Sequence, residues 1–430
     1  MRVSRISILD LPPHPTMPLE TPYQRLEHGL AYHFTRAPVY RIGNTALRIQ
    51  KRHIFFVFIS FLFLVVIYTF FGSQNTNKYL DNRKDYKTIV YESPYPLTPP
   101  VRTERGLKYK FGIISDLDTS SLSKDVKNTW LSYLKAGYLT VDIPAQKAYI
   151  EIESGSPIVL SSNIASGGRG MELSELVVFD GNVMTFDDRT GIVYVIEGKT
   201  AYPWVILTDG PGKVSKGFKS EWATVKDGYL YVGGLGKVWT NSKGETVNHF
   251  PQWVKSVSPK GHVKHHDWQM NYEALAKAVD IQHPGYLIHE ACAWSDIKRK
   301  WVFLPRRESK EAYNEEDDEN RGTNLMLITD EDFSDVEEFS CIFSPNHSRE
   351  MEGGSSVGKV KRVGTVTPTH GFSSLKFIPG TNDEWIVALK SEETNGKTST
   401  YALVFNMDGH IILPETQVSA EHKFEGIEFL

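Results

Sequence analysis

From Arg105 onward the chain is written in short runs of β-branched and aromatic residues, separated by Gly, Asp and Asn. Such runs predict strands joined by tight turns. Helix signals are few: Asn128 predicts the cap of a short helix through Tyr133 and Leu134, and Tyr272–Val279 (YEALAKAV) is the other. The strand pattern recurs. SELVVFDGNVMTFDDRTGIVYVIE (Ser174–Glu197) and SEWATVKDGYLYVGG (Ser220–Gly234) each read as strand, Asp-Gly turn, strand. A third unit begins at His289 (HEACAWSDIKRKWVFLP) and a fourth at Ser373 (SSLKFIPGTNDEWIVALKS). Serial hairpins of this kind predict radial repetition in an all-β propeller, with a β-sandwich as the alternative. The units lie 46 to 84 residues apart, so they carry insertions, Lys310–Asn320 among them. The last strand, Glu425–Leu430, has no partner near it in sequence; in a propeller it would close the ring on the first blade.

One run breaks the pattern. Ile54–Phe71 (IFFVFISFLFLVVIYTFF) is 18 residues without charge, Pro or Gly, long enough to cross a bilayer. It starts too far from Met1 for a cleaved signal peptide. Arg2, Arg5, Arg25, Arg36, Arg41, Arg48, Lys51 and Arg52 precede it, against Asp10, Glu20 and Glu27. Basic flanks face the cytosol. The expected layout is a cytoplasmic tail at 1–53, a type II signal anchor at 54–72, a Pro-rich stem at 73–105 and a lumenal domain at 106–430. The sequon Asn346-His347-Ser348 agrees with that topology. Cys292 and Cys341 are read as two buried thiols, with pairing left open. The formal net charge of -4 lacks the basic surplus of a dedicated nucleic-acid binder.

The strand openings carry the chemistry. Glu175, Glu221, Glu290, Ser373 and Glu425 occupy matching places, and in a propeller matching places converge on one axis. Converging carboxylates repel unless a cation sits among them, and an oxygen-only set suits calcium. Read singly, each glutamate is a solvated strand-edge charge. Asp116-Leu117-Asp118, after the apolar run Phe111–Ser115, puts two carboxylates at spacing two, fit to orient or deprotonate water, or merely to cap a turn. Arg169 (in Gly167–Gly170) and Arg306-Arg307 are candidate phosphate ligands. Gly353–Lys359 is not a P-loop, since Val360 stands where Ser or Thr is needed. His262, His265 and His266 lack a second ligand cluster for zinc.

Long blocks then match a known family: GRGMELSELVVF (Gly168–Phe179), DDRTGIVY (Asp187–Tyr194), KGFKSEW (Lys216–Trp222), PGYLIHEACAWSD (Pro284–Asp296), FLPRR (Phe303–Arg307), PTHGFSSLKFIP (Pro368–Pro379) and FEGIEFL (Phe424–Leu430). The chain resembles the calcium-activated nucleotidases of the apyrase family, from about Tyr109 to the end. The resemblance implies a five-bladed propeller that binds Ca2+ and hydrolyses nucleoside di- and triphosphates, with UDP and GDP preferred. It implies a calcium shell of Ser174, Glu175, Glu221, Glu290, Ser373 and Glu425. It makes Asp118 a catalytic carboxylate with Asp116 beside it, and Arg169 and Arg306 phosphate ligands. Asp187 and Asp188 would stand behind the substrate contacts. The expected setting is the Golgi or endoplasmic reticulum lumen, supporting glycosylation, with secretion after stem cleavage and a homodimer left open. Ala291-Cys292-Ala293 and the stretch near Ser344–Lys361 depart from the family pattern. A non-enzymatic calcium-binding propeller is the rival expectation.

Overall fold

The computed structural model describes residues 39–42, 45–48, 60, 94–241, 245–335, 359–394 and 396–430. The chain divides into two compact units, Met1–Lys87 and Thr88–Leu430. In the first, Val39–Ile42 and Thr45–Arg48 form an antiparallel hairpin. The expected membrane segment, apart from Ser60, and the sequon lie outside the described residues, as does Cys341. Among the described residues no helix is long and apolar enough to cross a membrane.

The second unit is built of antiparallel sheets, five of which supply four strands in radial succession. Blade 1 runs Leu173–Phe179, Asn182–Asp187, Ile192–Glu197 and Thr200–Ile206. Blade 2 runs Trp222–Lys226, Tyr229–Gly233, Trp253–Val257 and Val263–Asp267. Blade 3 runs Tyr286–Ser295, Lys300–Ser309, Leu325–Thr329 and Lys359–Arg362. Blade 4 runs His370–Phe377, Trp385–Thr394, Lys397–Asn406 and Ile411–Ser419. Blade 5 takes its first strand from the chain end, Phe424–Phe429, and then continues with Gly106–Ser115, Trp130–Asp142 and Lys147–Ile152. The first strands touch in a cycle, each meeting the first strand of the next blade, and blade 5 meets blade 1. This is a five-bladed β-propeller closed by its C-terminal strand, as the unpaired EGIEFL run leads one to expect.

The core is divided accordingly. Side chains alternate across a strand, so each blade feeds two interfaces. In blade 3, Cys292, Trp294, Leu325 and Leu327 pack toward blade 2, while Ala291, Ala293, Met326 and Ile328 pack toward blade 4. Separate apolar clusters fill the other three interfaces. Because no blade buries both faces alone, the ring must close for any of them to be dry. The Asp-Gly turns behave as read: Asp180 and Gly181 have φ of 51° and 75°, and Asp227 and Gly228 have 49° and 75°. Those angles are what two-residue hairpins with right-handed strand twist require.

One expectation is corrected. The segment at Asn128 is not a helix start. Asn128 takes φ 53° in a turn, and Trp130–Asp142 is a strand. Trp130, Ser132 and Leu134 are buried at every second position, and that period outweighs the capping signal. The other predicted helix is present as α1, Gln269–Ala278, with Tyr272 and Leu275 buried against the blade 2–blade 3 core. Part of the stretch read as stem lies on the propeller: Val101–Thr103 pairs with Gly106–Ser115, and Tyr95 donates to Glu428 at 2.7 Å. Cys292 is a free, buried thiol.

Candidate functional site

The candidate residues enter on the first strands, and the backbone is irregular at those places. The pairing register shifts between Leu173 and Leu176, around His289–Ala291, between Phe372 and Ser374, and between Phe424 and Gly426. These steps fall on Ser174/Glu175, Glu290, Ser373 and Glu425. Glu221, the blade 2 counterpart, immediately precedes its strand and donates its N–H to Gly233 O at 2.8 Å. A β-bulge leaves an extra residue outside the ladder, and so re-aims its polar atoms. Four bulges at equivalent positions take these residues out of the regular alternation of the ladder.

Three of the glutamates form one electrostatic group. Glu221 is buried, and burial, reinforced by Glu290 and Asp188, pushes its pKa up to about 8. Glu425 is likewise raised well above the carboxylate range by burial, with Asp116 and Glu290 adding to it. Arg306 Nη1 stands between Glu290 and Glu425, at 2.7 and 3.4 Å, and also reaches Ser391 Oγ at 2.7 Å. Lys219 Nζ lies 2.6 Å from Glu221 and also pairs with Asp188. Burial alone would lower the Lys219 pKa, but those two carboxylates hold it well above the ordinary value. Glu175 is engaged differently. Its carboxylate accepts from Ser374 Oγ at 2.8 and 2.9 Å and from Leu176 N at 2.8 Å, and Lys376 Nζ is 3.2 Å away.

Asp116 and Asp118 join the same network. The Asp116 carboxylate accepts the Asp118 N–H at 2.8 Å, which holds Asp118 at φ 46°. Asp118 reaches Arg169 Nη2 at 3.3 Å and Lys423 Nζ at 2.5 Å; Asp116 reaches Lys423 at 3.1 Å. Arg169 is oriented by Glu172, which takes Nε at 2.7 Å and Nη2 at 2.5 Å. Burial lifts the Glu172 pKa to about 7, against the pull of Arg169. One oxygen each of Asp116, Asp118 and Glu172 lie within 4.8 Å of one another. Acid and base thus alternate from Arg169 through Asp118, Lys423, Glu425 and Arg306 to Glu290, and from Glu221 through Lys219 to Asp188.

The remaining candidates divide. Asp188 belongs to the network. Asp187 braces it, accepting from Met171 N at 2.9 Å and Arg189 N at 3.0 Å, with its pKa raised by burial to about 6. Arg307 is buried, 3.8 Å from Asp318; burial, with Arg306 adding to it, lowers its pKa to about 10. Lys237, lowered to about 8 by burial, stacks over Tyr313 at 4.1 Å. His262, His265 and His266 sit far out in blade 2, at its last strand. Sequence reasoning missed Lys219, Lys423, Glu172 and Ser391. Lys219 and Glu172 lay inside quoted blocks, but a lone charge beside a strand reads as surface.

Whether a cation fits can be judged from the atoms left over. Ser174 Oγ, Ser373 Oγ and Asp188 Oδ1 are buried and find no hydrogen-bond partner among the described residues. Buried oxygens are rarely left so. They are hard, and two of them, Ser174 and Ser373, sit at the first-strand irregularities, next to carboxylates that burial disfavours in charged form. That donor set fits calcium.

The molecule is therefore a propeller with an oxygen-rich, cation-braced centre. The model of the Apyrase family matches residues 117–358 and 354–430. The chain is 50% identical to the soluble calcium-activated nucleotidase 1 of Rattus norvegicus, over 79% of this chain and 78% of that one. It is 40% identical to an apyrase of Cimex lectularius (91% and 99% covered) and 43% identical to apyrase apy-1 of Caenorhabditis elegans (87% and 98% covered). A solved structure, Citrobacter koseri AztD, aligns at 10% identity and a TM-score of 0.27 over 74% of this chain and 97% of that one, too slight a likeness to bear on fold or function. The chain belongs to the apyrase family.

Proposed function

We propose that this chain is a calcium-dependent nucleotide hydrolase that cleaves nucleoside diphosphates, UDP and GDP before ADP, to monophosphate and phosphate. One observation carries the reading: buried, unpartnered oxygens and mutually repelling carboxylates gather where five first strands meet. Its relatives' names, nucleotidase and apyrase, support the reaction. Ser174, Ser373, Glu221, Glu290 and Glu425 would hold the ion, with Glu175 from the same bulge as Ser174. Calcium, when bound, offsets charge on the phosphate tail.

The chain's own groups do the rest. Asp118 is half-exposed, so its carboxylate is open to a water that it can orient and deprotonate. Arg169 has its fork fixed by Glu172, so its orientation toward a phosphate is set in advance. Arg307 Nη1, buried and without a hydrogen-bond partner among the described residues, is a second donor for phosphate oxygens. Arg306 keeps Glu290 and Glu425 ionised beside each other. No covalent intermediate is needed.

The apolar run 54–71 and its basic flank support anchoring as a type II protein with the propeller in the Golgi or endoplasmic reticulum lumen. There, UDP and GDP left by glycosyltransferases would be the substrates, and their removal would relieve product inhibition. The test is phosphate release by the full chain from UDP, GDP and ADP, in calcium, magnesium or chelator. Release from UDP in calcium and its loss in chelator are expected. Calcium binding without cleavage of any nucleotide would make the chain a non-enzymatic propeller.

A further inference from the structure

We infer that Lys423 is a positioning residue of the hydrolytic site, the part that locks the water-activating carboxylate to the central oxygen ring. The inference rests on the proposed hydrolase reading and deepens it. Lys423 is 6% exposed, and a buried ammonium persists only where anions surround it. Four do. Its Nζ lies 2.5 Å from Asp118, 3.1 Å from Asp116, and 3.5 Å from both Glu393 and Glu425. No other described lysine is paired with four carboxylates. Its main chain acts on the same loop, since Lys423 O accepts the Asp116 N–H at 3.0 Å. One residue therefore grips the Asp116–Asp118 loop twice, by backbone and by side chain.

That grip matters because Asp118 sits at φ 46°, an uncommon conformation that aspartate tolerates better than most residues but that its surroundings must still fix. Two contacts do so here: the Asp116 carboxylate on the Asp118 N–H, and Lys423 on the Asp118 carboxylate. Lys423 also stands one residue before the first strand of blade 5 and touches Glu425 on it. Asp118 and the proposed calcium shell are thereby set at a fixed spacing, through a single side chain. Removing the ammonium leaves Asp116, Asp118, Glu393 and Glu425 facing one another without their shared cation.

The test compares the full-length wild type with Lys423→Gln, Lys423→Arg, Asp118→Asn and the double variants, in saturating calcium with UDP. Lys423→Gln is expected to lower kcat about 100-fold, the scale of a general base put out of place. KM should move less than about threefold, because the loss falls on the transition state and not on uniform binding. Lys423→Arg should recover at least about tenfold of the loss, since it keeps the charge but not the point geometry. In the Asp118→Asn background Lys423→Gln should cost almost nothing more, because both changes disable one device. A Lys423→Gln kcat within about threefold of wild type overturns the inference, as does a loss confined to KM, or losses that multiply in the double variant. If Lys423→Gln does not accumulate, Lys423→Arg carries the test. Its own deficit must vanish in the Asp118→Asn background, and a deficit that persists there overturns the inference. A wild type that cleaves no nucleotide sinks the hydrolase reading and this inference together. Failure of the inference alone shows itself against a working wild type.

Discussion

Two clusters of buried charge sit on the first strands, and they are finished to different degrees. In one, Glu175 is satisfied by Ser374 and its own strand, and Glu428 accepts from Tyr95, Val178 N and Phe429 N. Every one of those carboxylates has its donors. In the other, Ser174, Ser373 and Asp188 keep buried oxygens without partners among the described residues. A buried polar atom with its hydrogen bonds made is stable as it stands; one left short has room for a further partner. The contrast is between buried charge that the fold satisfies by itself and buried oxygen that it leaves free for a further partner.

The comparison can be broken by substitution. The largest effect is expected from the carboxylates proposed to hold the ion beside those free oxygens: Glu290→Gln and Glu221→Gln should each cut calcium-dependent kcat by about 1,000-fold or more, with near-normal expression. Unchanged turnover would remove that residue from the metal shell. Asp118→Asn comes next, at about 100-fold to 10,000-fold in kcat, read by steady-state phosphate release.

A pH series sharpens the same contrast. In chelator, Glu221 has a folded pKa of about 8 and Glu172 of about 7, both above the unfolded carboxylate value. Their folded forms bind more protons than the unfolded chain, so their contribution is fullest at acid pH and is lost as pH rises through 7 to 8. The Tm of chelated protein should therefore fall between pH 5 and pH 8, and calcium should restore it most at the upper end. A Tm that rises over that window without calcium would contradict the assignment. The finished cluster gives the smallest effect. Tyr95→Phe should lower stability by about 1 kcal/mol, measured by denaturant unfolding, and leave kcat within about twofold.

Much of this was legible in the residues. The Asp-Gly hairpins fixed the repeat, and the orphan run EGIEFL announced ring closure. Matching strand openings put Glu221, Glu290 and Glu425 together from three blades. What stayed hidden had physical causes. Glu175 is engaged by Ser374 and Lys376 of blade 4, partners about 200 residues away that no local pattern announces. Lys219 and Lys423 are buried only because acids from distant strands surround them, so each looked like an ordinary surface lysine. At Asn128 a capping residue preceded a strand, and packing of Trp130 and Leu134 decided the matter.

The strand Phe424–Phe429 belongs to the sheet begun at Gly106, yet it follows the other four blades in the chain. During synthesis, then, blade 5 stands with an open edge while more than three hundred residues emerge. Glu425 arrives on that closing strand and Lys423 just before it, so the proposed reactive centre is completed together with that seam. On the proposed reading, a nascent or C-terminally clipped chain would be inert, and catalytic competence would double as a certificate that assembly was completed.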